Sequence, residues 1–286
     1  MNKTSLVTLA VAALCALPAS AQDMKTPRPS PKGTVMQTVG ITDFTVVYSR
    51  PGVKGREIWG KLVPFGEVWR TGANEATIFE TSTDMNVAGK PLPKGKYSLH
   101  TIPGKDEWTV IFNSVADQWG SYSYDKAKDV LRVMAKPMSN AMTENLTISF
   151  ANLTQDSADL LIDWEKVRVS VPIKLDTVKL TMAEIERSLA AAKADDWRTP
   201  MLAARFATDN KMTEKAEEWL NRSLKVKETP GNLYDKAKMQ YAEGKKDAAL
   251  ATAKKAAEAG KAQNASAGMM EAIETLSKDI AAGKKM

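Results

Sequence analysis

Val167, Val169, Val171 and Ile173 alternate with polar or small residues, and just past them, at Asp176, alternation gives way to helical spacing that lasts to the end of the chain. Successive side chains of a strand point to opposite faces, whereas a helix gathers positions three and four apart on one face. A chain that changes period once predicts an all-strand part followed by an all-helix part. No strand–helix–strand alternation is present to build a parallel, nucleotide-binding type of sheet.

The strand part runs from Thr34 to about Leu175. Thr42–Tyr48 carries Phe44, Val46 and Tyr48 on alternate positions, and Lys96–Ile102, Trp108–Asn113, Val130–Ala135, Leu146–Phe150, Ala158–Trp164 and Val167–Ile173 follow. Val87-Ala88-Gly89-Lys90 suits a hairpin, and Pro93-Lys94-Gly95 suits a type II turn. Eight or nine short strands, on the order expected for a small all-β domain, indicate an antiparallel β-sandwich or jelly roll. The fold class is therefore α+β, with a sandwich at residues 34–176 and a helical tail at 177–286.

The tail is rich in Ala, Lys, Glu and Met. Helices are predicted over Thr181–Lys193, Pro200–Thr208, Thr213–Val226, Leu233–Glu243, Asp247–Gly260 and Ala267–Ala281, with Thr213 and Asp247 as caps and Gly244 and Gly260 as stops. The stretch Tyr241-Ala-Glu-Gly244-Lys-Lys-Asp247-Ala-Ala249-Leu250, followed by Lys255-Ala256, resembles a tetratricopeptide repeat. The proline that usually closes such a repeat is missing. An unrelated array of helical hairpins is the competing reading, and a protein partner is the expectation either one carries.

The first residues read as an export signal. Lys3 precedes an apolar run from Leu6 to Leu17, and Ala19 and Ala21 supply small residues for cleavage after Ala21. The run is too short for a membrane anchor. Cys15 is the sole cysteine and lies inside the run behind Leu14, so it reads as part of the signal and not as a lipid attachment site. A mature chain without cysteine forms no disulfide, thiolate metal site or cysteine nucleophile, as suits a bacterial periplasmic or secreted protein. Residues 22–33 carry Pro27, Pro29 and Pro31 and read as an extended linker. The net charge is +6, falling to +5 without Lys3, and no block of like charge points to nucleic acid. No later run is long enough to cross a membrane.

Residues 49–76 show no strand pattern. The stretch mixes Arg50, Lys54, Arg56, Trp69, Arg70, Asn74 and Glu75 with five glycines. Long loops inside compact domains are often functional, and guanidinium groups at partly desolvated surface bind carboxylate or phosphate well. Trp119 and Tyr122 belong to a second aromatic cluster suited to stacking on sugar rings. The alternative is that the arginines pair with Glu57, Glu67 and Glu75 and merely close one end of the sandwich. His100 is the only histidine; it shares a strand face with Ser98 and reads as a packing or surface residue. One histidine and, once Cys15 is removed with the signal, no cysteine exclude a zinc site built on those ligands, no spaced aspartates mark a calcium loop, and no cofactor is indicated.

Tyr48-Ser-Arg50-Pro51, Lys54-Gly55-Arg56, Trp69-Arg70-Thr71-Gly72-Ala73-Asn74-Glu75-Ala76-Thr77, Gly95-Lys-Tyr97-Ser-Leu99, Ile102-Pro103-Gly104, Trp108, Trp119-Gly120, Asp129-Val-Leu-Arg132 and Asp163-Trp164 together resemble the bacterial exported family called domain of unknown function 2911. The resemblance spans the β part, leaves the tail outside and implies export but no assigned activity. The leading expectation is a non-catalytic binding module for an anionic or glycan-like ligand held by Arg50, Lys54, Arg56, Trp69, Arg70, Asn74, Glu75, Trp119 and Tyr122. A carbohydrate-active hydrolase or lyase, with Glu75 as base, and a structural scaffold are the alternatives.

Overall fold

The computed structural model describes residues 26–284, so the signal segment and its cleavage point lie outside the described residues. The sandwich has ten strands: β1 Lys32–Val39, β2 Thr42–Ser49, β3 Thr77–Thr81, β4 Met85–Val87, β5 Lys90–Leu92, β6 Gly95–Ile102, β7 Trp108–Asn113, β8 Asp129–Ala135, β9 Pro137–Ala151 and β10 Ser157–Lys174. They form a six-stranded sheet in the order β1-β2-β3-β6-β7-β8 and a four-stranded sheet in the order β5-β4-β10-β9. The resolved pairings are antiparallel.

The inner faces supply one apolar core. Phe44, Val46, Phe79, Leu99, Val110 and Phe112 come from the larger sheet, and Leu146, Ile148, Leu160, Ile162 and Val171 from the smaller. Each of these side chains contributes roughly 1.5–3 kcal/mol on burial. Tyr48 ties the layers together, its hydroxyl accepting from the Ile148 N–H at 2.9 Å. Four tryptophans meet in this core. Trp108 comes from β7 and Trp164 from β10, while Trp59 and Trp69 come from the segment between β2 and β3.

Two of three local expectations are corrected and one holds. The two strands predicted at 158–164 and 167–173 are one strand, β10. Its pairing with β9 shifts register on both sides of Glu165, which sits at φ 55, so a bulge re-aims the strand without ending it. The Val87–Lys90 hairpin forms, with Ala88 and Gly89 at φ 47 and 79, the positive values its tight turn needs. Pro93-Lys94 instead carries the chain from the small sheet to the large one, and Gly95 at φ 157 is not the turn glycine of a type II turn.

Six helices follow: α1 Thr177–Ala191, α2 Arg198–Asp209, α3 Thr213–Val226, α4 Pro230–Ala242, α5 Lys246–Ala262 and α6 Ala267–Ala281. Asp176 caps α1 by accepting from Lys179 N–H, so that helix starts earlier than its periodicity suggested. Thr213 and Asp247 lie inside the first turns of their helices and are not the caps. Gly244, at φ 78, does follow a helix end. Gly260 does not stop α5. A Cβ there would stand 2.4 Å from Met270 Sδ, so the glycine lets α6 cross closely.

The hairpins α2–α3 and α4–α5 repeat at a fixed spacing. Lys211 and Gly244 hold the positive φ at the two turns, and the fully buried Ala216 and Ala249 begin the second helices, 33 residues apart in each case. Asn232 joins the hairpins, donating to Ser223 Oγ at 3.0 Å and to Lys227 O at 2.8 Å. Among the described residues no helix is long and apolar enough to cross a membrane.

Candidate functional site

Alternation that buries Tyr97, Leu99, Val110 and Phe112 in the core sends Ser98, His100, Ile111 and Asn113 to the outer face of the larger sheet. That face would ordinarily be wet. Here Ser98, His100, Ile111 and Asn113 are all 0% exposed, because the connection from β7 to β8, residues 114–128, folds back as a strap across it.

The strap is held by backbone and side chains. Ala76 N–H donates to Gln118 O at 2.9 Å and Gly120 N–H to Asn74 O at 3.0 Å, so residues 118–120 pair with the segment leading into β3. Gln118 Nε2 donates to Ser98 Oγ at 3.2 Å. Tyr124 lies over His100 with ring centroids 5.2 Å apart. The Tyr124 hydroxyl donates to Asp129 Oδ2 at 2.6 Å, and Asn113 Nδ2 donates to Asp129 Oδ1 at 2.9 Å. Burial, and then the Asp129 carboxylate that accepts its proton, push the Tyr124 phenol well above its usual range.

Beside the strap a cavity of about 290 Å³ opens over β1, β2 and β3. Val47, Ser49 and Ile78 form its floor, and Lys32, Glu75, Gln118 and Trp119 its walls. Trp119 is 60% exposed and Tyr122, further along the strap, 84% exposed, so both aromatic faces are available to a ligand. Glu75 Oε1 accepts from Arg28 Nη1 at 2.7 Å. That guanidinium holds the Glu75 carboxyl below its usual range, outweighing partial burial, and Glu75 is therefore ionised near neutral pH.

Buried polar atoms without a protein partner concentrate in this region. They are Arg70 Nε, Glu75 Oε2, both ring nitrogens of His100, Gln118 Oε1, Ser121 Oγ and Arg132 Nε, whereas elsewhere among the described residues only Trp59 Nε1 and Gln240 Oε1 share that state. Arg132 Nε does lie 3.3 Å from Asp129 Oδ2, close enough for an ion pair but without hydrogen-bond geometry. Native interiors rarely leave such atoms unpartnered, and a cluster of them marks a place completed from outside.

The nine residues singled out in the sequence fall into two groups. Arg50 donates to Leu146 O at 2.9 Å and to Thr147 Oγ1 at 2.8 Å, stapling β2 to β9. Arg56 donates to Gly52 O at 2.5 Å and to Val53 O at 3.1 Å, closing its own loop. Lys54, exposed and at φ 50, gives its backbone N–H to Glu144 Oε1. Trp69 is core, its Nε1 donating to Gly72 O at 3.0 Å. Arg70, Asn74, Glu75, Trp119 and Tyr122 lie instead on the strap side. Trp69 bridges Thr101, so Arg70 falls opposite His100 in that register; Asn74, at φ 60, donates to Ser49 Oγ at 3.3 Å. The alternative pairing of the loop arginines with Glu57, Glu67 and Glu75 does not occur; Glu75 pairs with Arg28 of the proline-rich segment.

Sequence reasoning gave no site role of their own to Asn113, Gln118, Tyr124, Asp129 and Arg132, although Asp129 and Arg132 stand in the family motif and Tyr124 in the second aromatic cluster, and it gave His100 a bland role. A signal was present, since Ser98 and His100 alternate with core residues on a central strand, but the cover arrives from a distant connection. Among the described residues no group of three or more His, Cys, Asp and Glu side chains is placed to hold a metal ion. No curated protein and no solved structure matches the chain. The model of a family described as Protein of unknown function (DUF2911) matches residues 30–173, which takes in the pocket, the strap and all ten strands save Lys174 at the end of β10. Half of the sequence thus follows that family's pattern, and the chain belongs to it.

Proposed function

We propose that this is an exported, non-catalytic binding module that holds one sugar ring of a glycan-like ligand in the pocket beside Trp119. One observation carries the reading: an exposed indole stands next to two buried oxygens, Glu75 Oε2 and Gln118 Oε1, that accept hydrogen bonds and have no protein donor. A pyranose offers a matching pair of properties, an apolar C–H face to lie on the indole and hydroxyl donors along its edge. The cavity volume is at the low end for ligand sites, which suits a single ring and not a long chain.

An anionic ligand is less well supported. Arg50 and Arg56 already donate to carbonyls, and Arg28 is paired with Glu75. Nor is Glu75 well suited to the role of base in a hydrolase or lyase, because the Arg28 guanidinium that holds its carboxyl below the usual range makes the carboxylate less basic. The tail, with its 33-residue spacing of paired helices, is read as the part that meets a protein partner.

Titration of the protein with methyl glycosides of neutral hexoses, hexosamines and uronic acids, followed by calorimetry, tests the pocket. Trp119→Ala is expected to weaken the best glycoside at least about tenfold, or ~1.4 kcal/mol. Binding that is unchanged in that variant, or absent throughout the panel, would remove the reading. Export is tested separately: the protein recovered from outside the cytoplasm should begin at Gln22, and an intact Met1 on that protein would overturn the cleavage expectation.

A further inference from the structure

We propose that His100 is a proton-operated latch: uncharged, it keeps the strap 114–128 closed, and a proton on its ring releases the strap and with it one wall of the pocket. The latch itself rests on the geometry around His100. Only its consequence for ligand rests on the reading of the pocket as a sugar site.

The imidazole is 0% exposed, and neither ring nitrogen has a hydrogen-bond partner of good geometry. The carbonyls of Gly120 and Ser98 are near the ring without closing such a bond. A neutral ring, with one donor and one acceptor, loses less by this than a charged one. An imidazolium carries two strong donors and needs water or an anion.

Each element packed around the ring brings its charges. The strap contributes Tyr124, whose hydroxyl already donates its hydrogen bond to Asp129. β8 contributes Asp129 and Arg132, and the segment beside β6 contributes Arg70. Glu75, across from Trp119, is paired with Arg28. Asp129 is thus the one acid facing the ring, and it already accepts from Asn113 and Tyr124 with Arg132 beside it.

The strap is the part best able to yield. Residues 118–120 are joined to the segment before β3 by two backbone hydrogen bonds, whereas β6 lies mid-sheet between β3 and β7. Lifting Gly120 to Tyr124 would admit water to the ring. The same movement would carry Trp119 and Gln118 away from Glu75 and open the pocket.

The direction with pH follows. Burial pushes the His100 ring below its ordinary value, against the pull of the Gly120 carbonyl, the Asp129 charge and the Ser98 carbonyl. In the open strap the ring titrates near its ordinary value of about 6.5. The closed form is therefore fully favoured above about pH 6.5 and loses ground as the pH falls below it, by at most about tenfold per pH unit for a single proton.

Because the chain has one histidine, a ¹³C-labelled imidazole gives one signal. Its titration is to be measured beside hydrogen exchange of the Ala76 and Gly120 amides, corrected for intrinsic rates. The expected result is that the opening constant of both amides rises as the pH drops from about 6.5 to 5, by up to about tenfold per unit, in step with the ring signal. His100→Gln should abolish that dependence. If the variant does not fold, the coincidence of ring and amide curves in the wild-type protein decides. Opening that stays flat with pH, or that persists unchanged in His100→Gln, would overturn the latch. Methyl glycoside affinity that falls in the same window supports latch and pocket together. Opening with no glycoside bound at any pH sustains the latch and overturns the binding reading.

Discussion

Replacing Trp108 with alanine is expected to destabilise the sandwich by about 3–5 kcal/mol. That is a large share of the roughly 5–15 kcal/mol that holds a domain together. The indole is 2% exposed and sits 4.9 Å from the Trp59 ring and 6.4 Å from the Trp69 ring, edge-on to both. Trp69 in turn stacks on Trp164 at 5.7 Å and an angle of 17°. The cluster therefore links the larger sheet, the smaller sheet and the long segment between β2 and β3. Alanine would leave a cavity where three parts of the fold meet, and packing there relaxes only partly. The damage should also reach the pocket, since Trp69 fixes the backbone that leads into Asn74 and Glu75. Urea unfolding followed by near-ultraviolet circular dichroism reads the loss, with far-ultraviolet ellipticity reporting the helical tail separately. Trp108→Phe should recover more than half of the lost stability. A change under about 1 kcal/mol in the alanine variant would show that the cluster is not what couples the sheets.

Much of this fold was legible because periodicity is local. The change of period at Asp176 falls between the end of β10 and the start of α1, and six helices were found close to their observed positions. Failures came where local pattern is weak or partners are remote. β1 is an edge strand whose residues alternate between half-buried and exposed, so its sequence lacks a strongly apolar face. β10 was split in two because Glu165-Lys166 interrupts the pattern, though the strand continues through a bulge. Helix caps were misplaced by one or two residues, since periodicity fixes a helix face more sharply than its first residue.

The site was harder to read for a physical reason. Arginine in a loop looks alike whether it faces a ligand or a carbonyl. Arg50 finds its acceptors on β9, and no side-chain pattern announces a backbone oxygen. Trp119 and Tyr122 were legible as an aromatic pair, and exposure distinguishes them from the buried tryptophans. What could not be read was the strap, which brings Gln118 to Ser98 and Tyr124 to His100 from another part of the chain.

Asp129 is where the strap and the sheet are joined, and Asp129→Ala is expected to destabilise the sandwich by about 3 kcal/mol, the loss typical of leaving buried partners unpaired. Its side chain is 6% exposed and accepts from Asn113 Nδ2 at 2.9 Å and from the Tyr124 hydroxyl at 2.6 Å, with Arg132 Nε at 3.3 Å. Alanine would strand one of the two Asn113 Nδ2 hydrogens beneath the strap, the other keeping Asp125 O at 2.9 Å, and Asn113 is fully buried. Arg132, partly exposed, can turn to water, and so contributes less to the loss. Tyr124 would lose the acceptor that fixes its ring over His100, and the phenol, now raised by burial and by Asp129, should move back toward its ordinary range. Asp129→Asn keeps the shape and one acceptor oxygen and should cost about half as much. Two readouts separate this from a general weakening of the domain. Chemical denaturation gives the total loss, while exchange of the Gly120 and Ala76 amides should quicken by a larger factor than exchange in β10, because the strap loses its anchor before the core does. Equal loss of protection in strap and core would mean that Asp129 supports the sandwich as a whole and not the strap in particular.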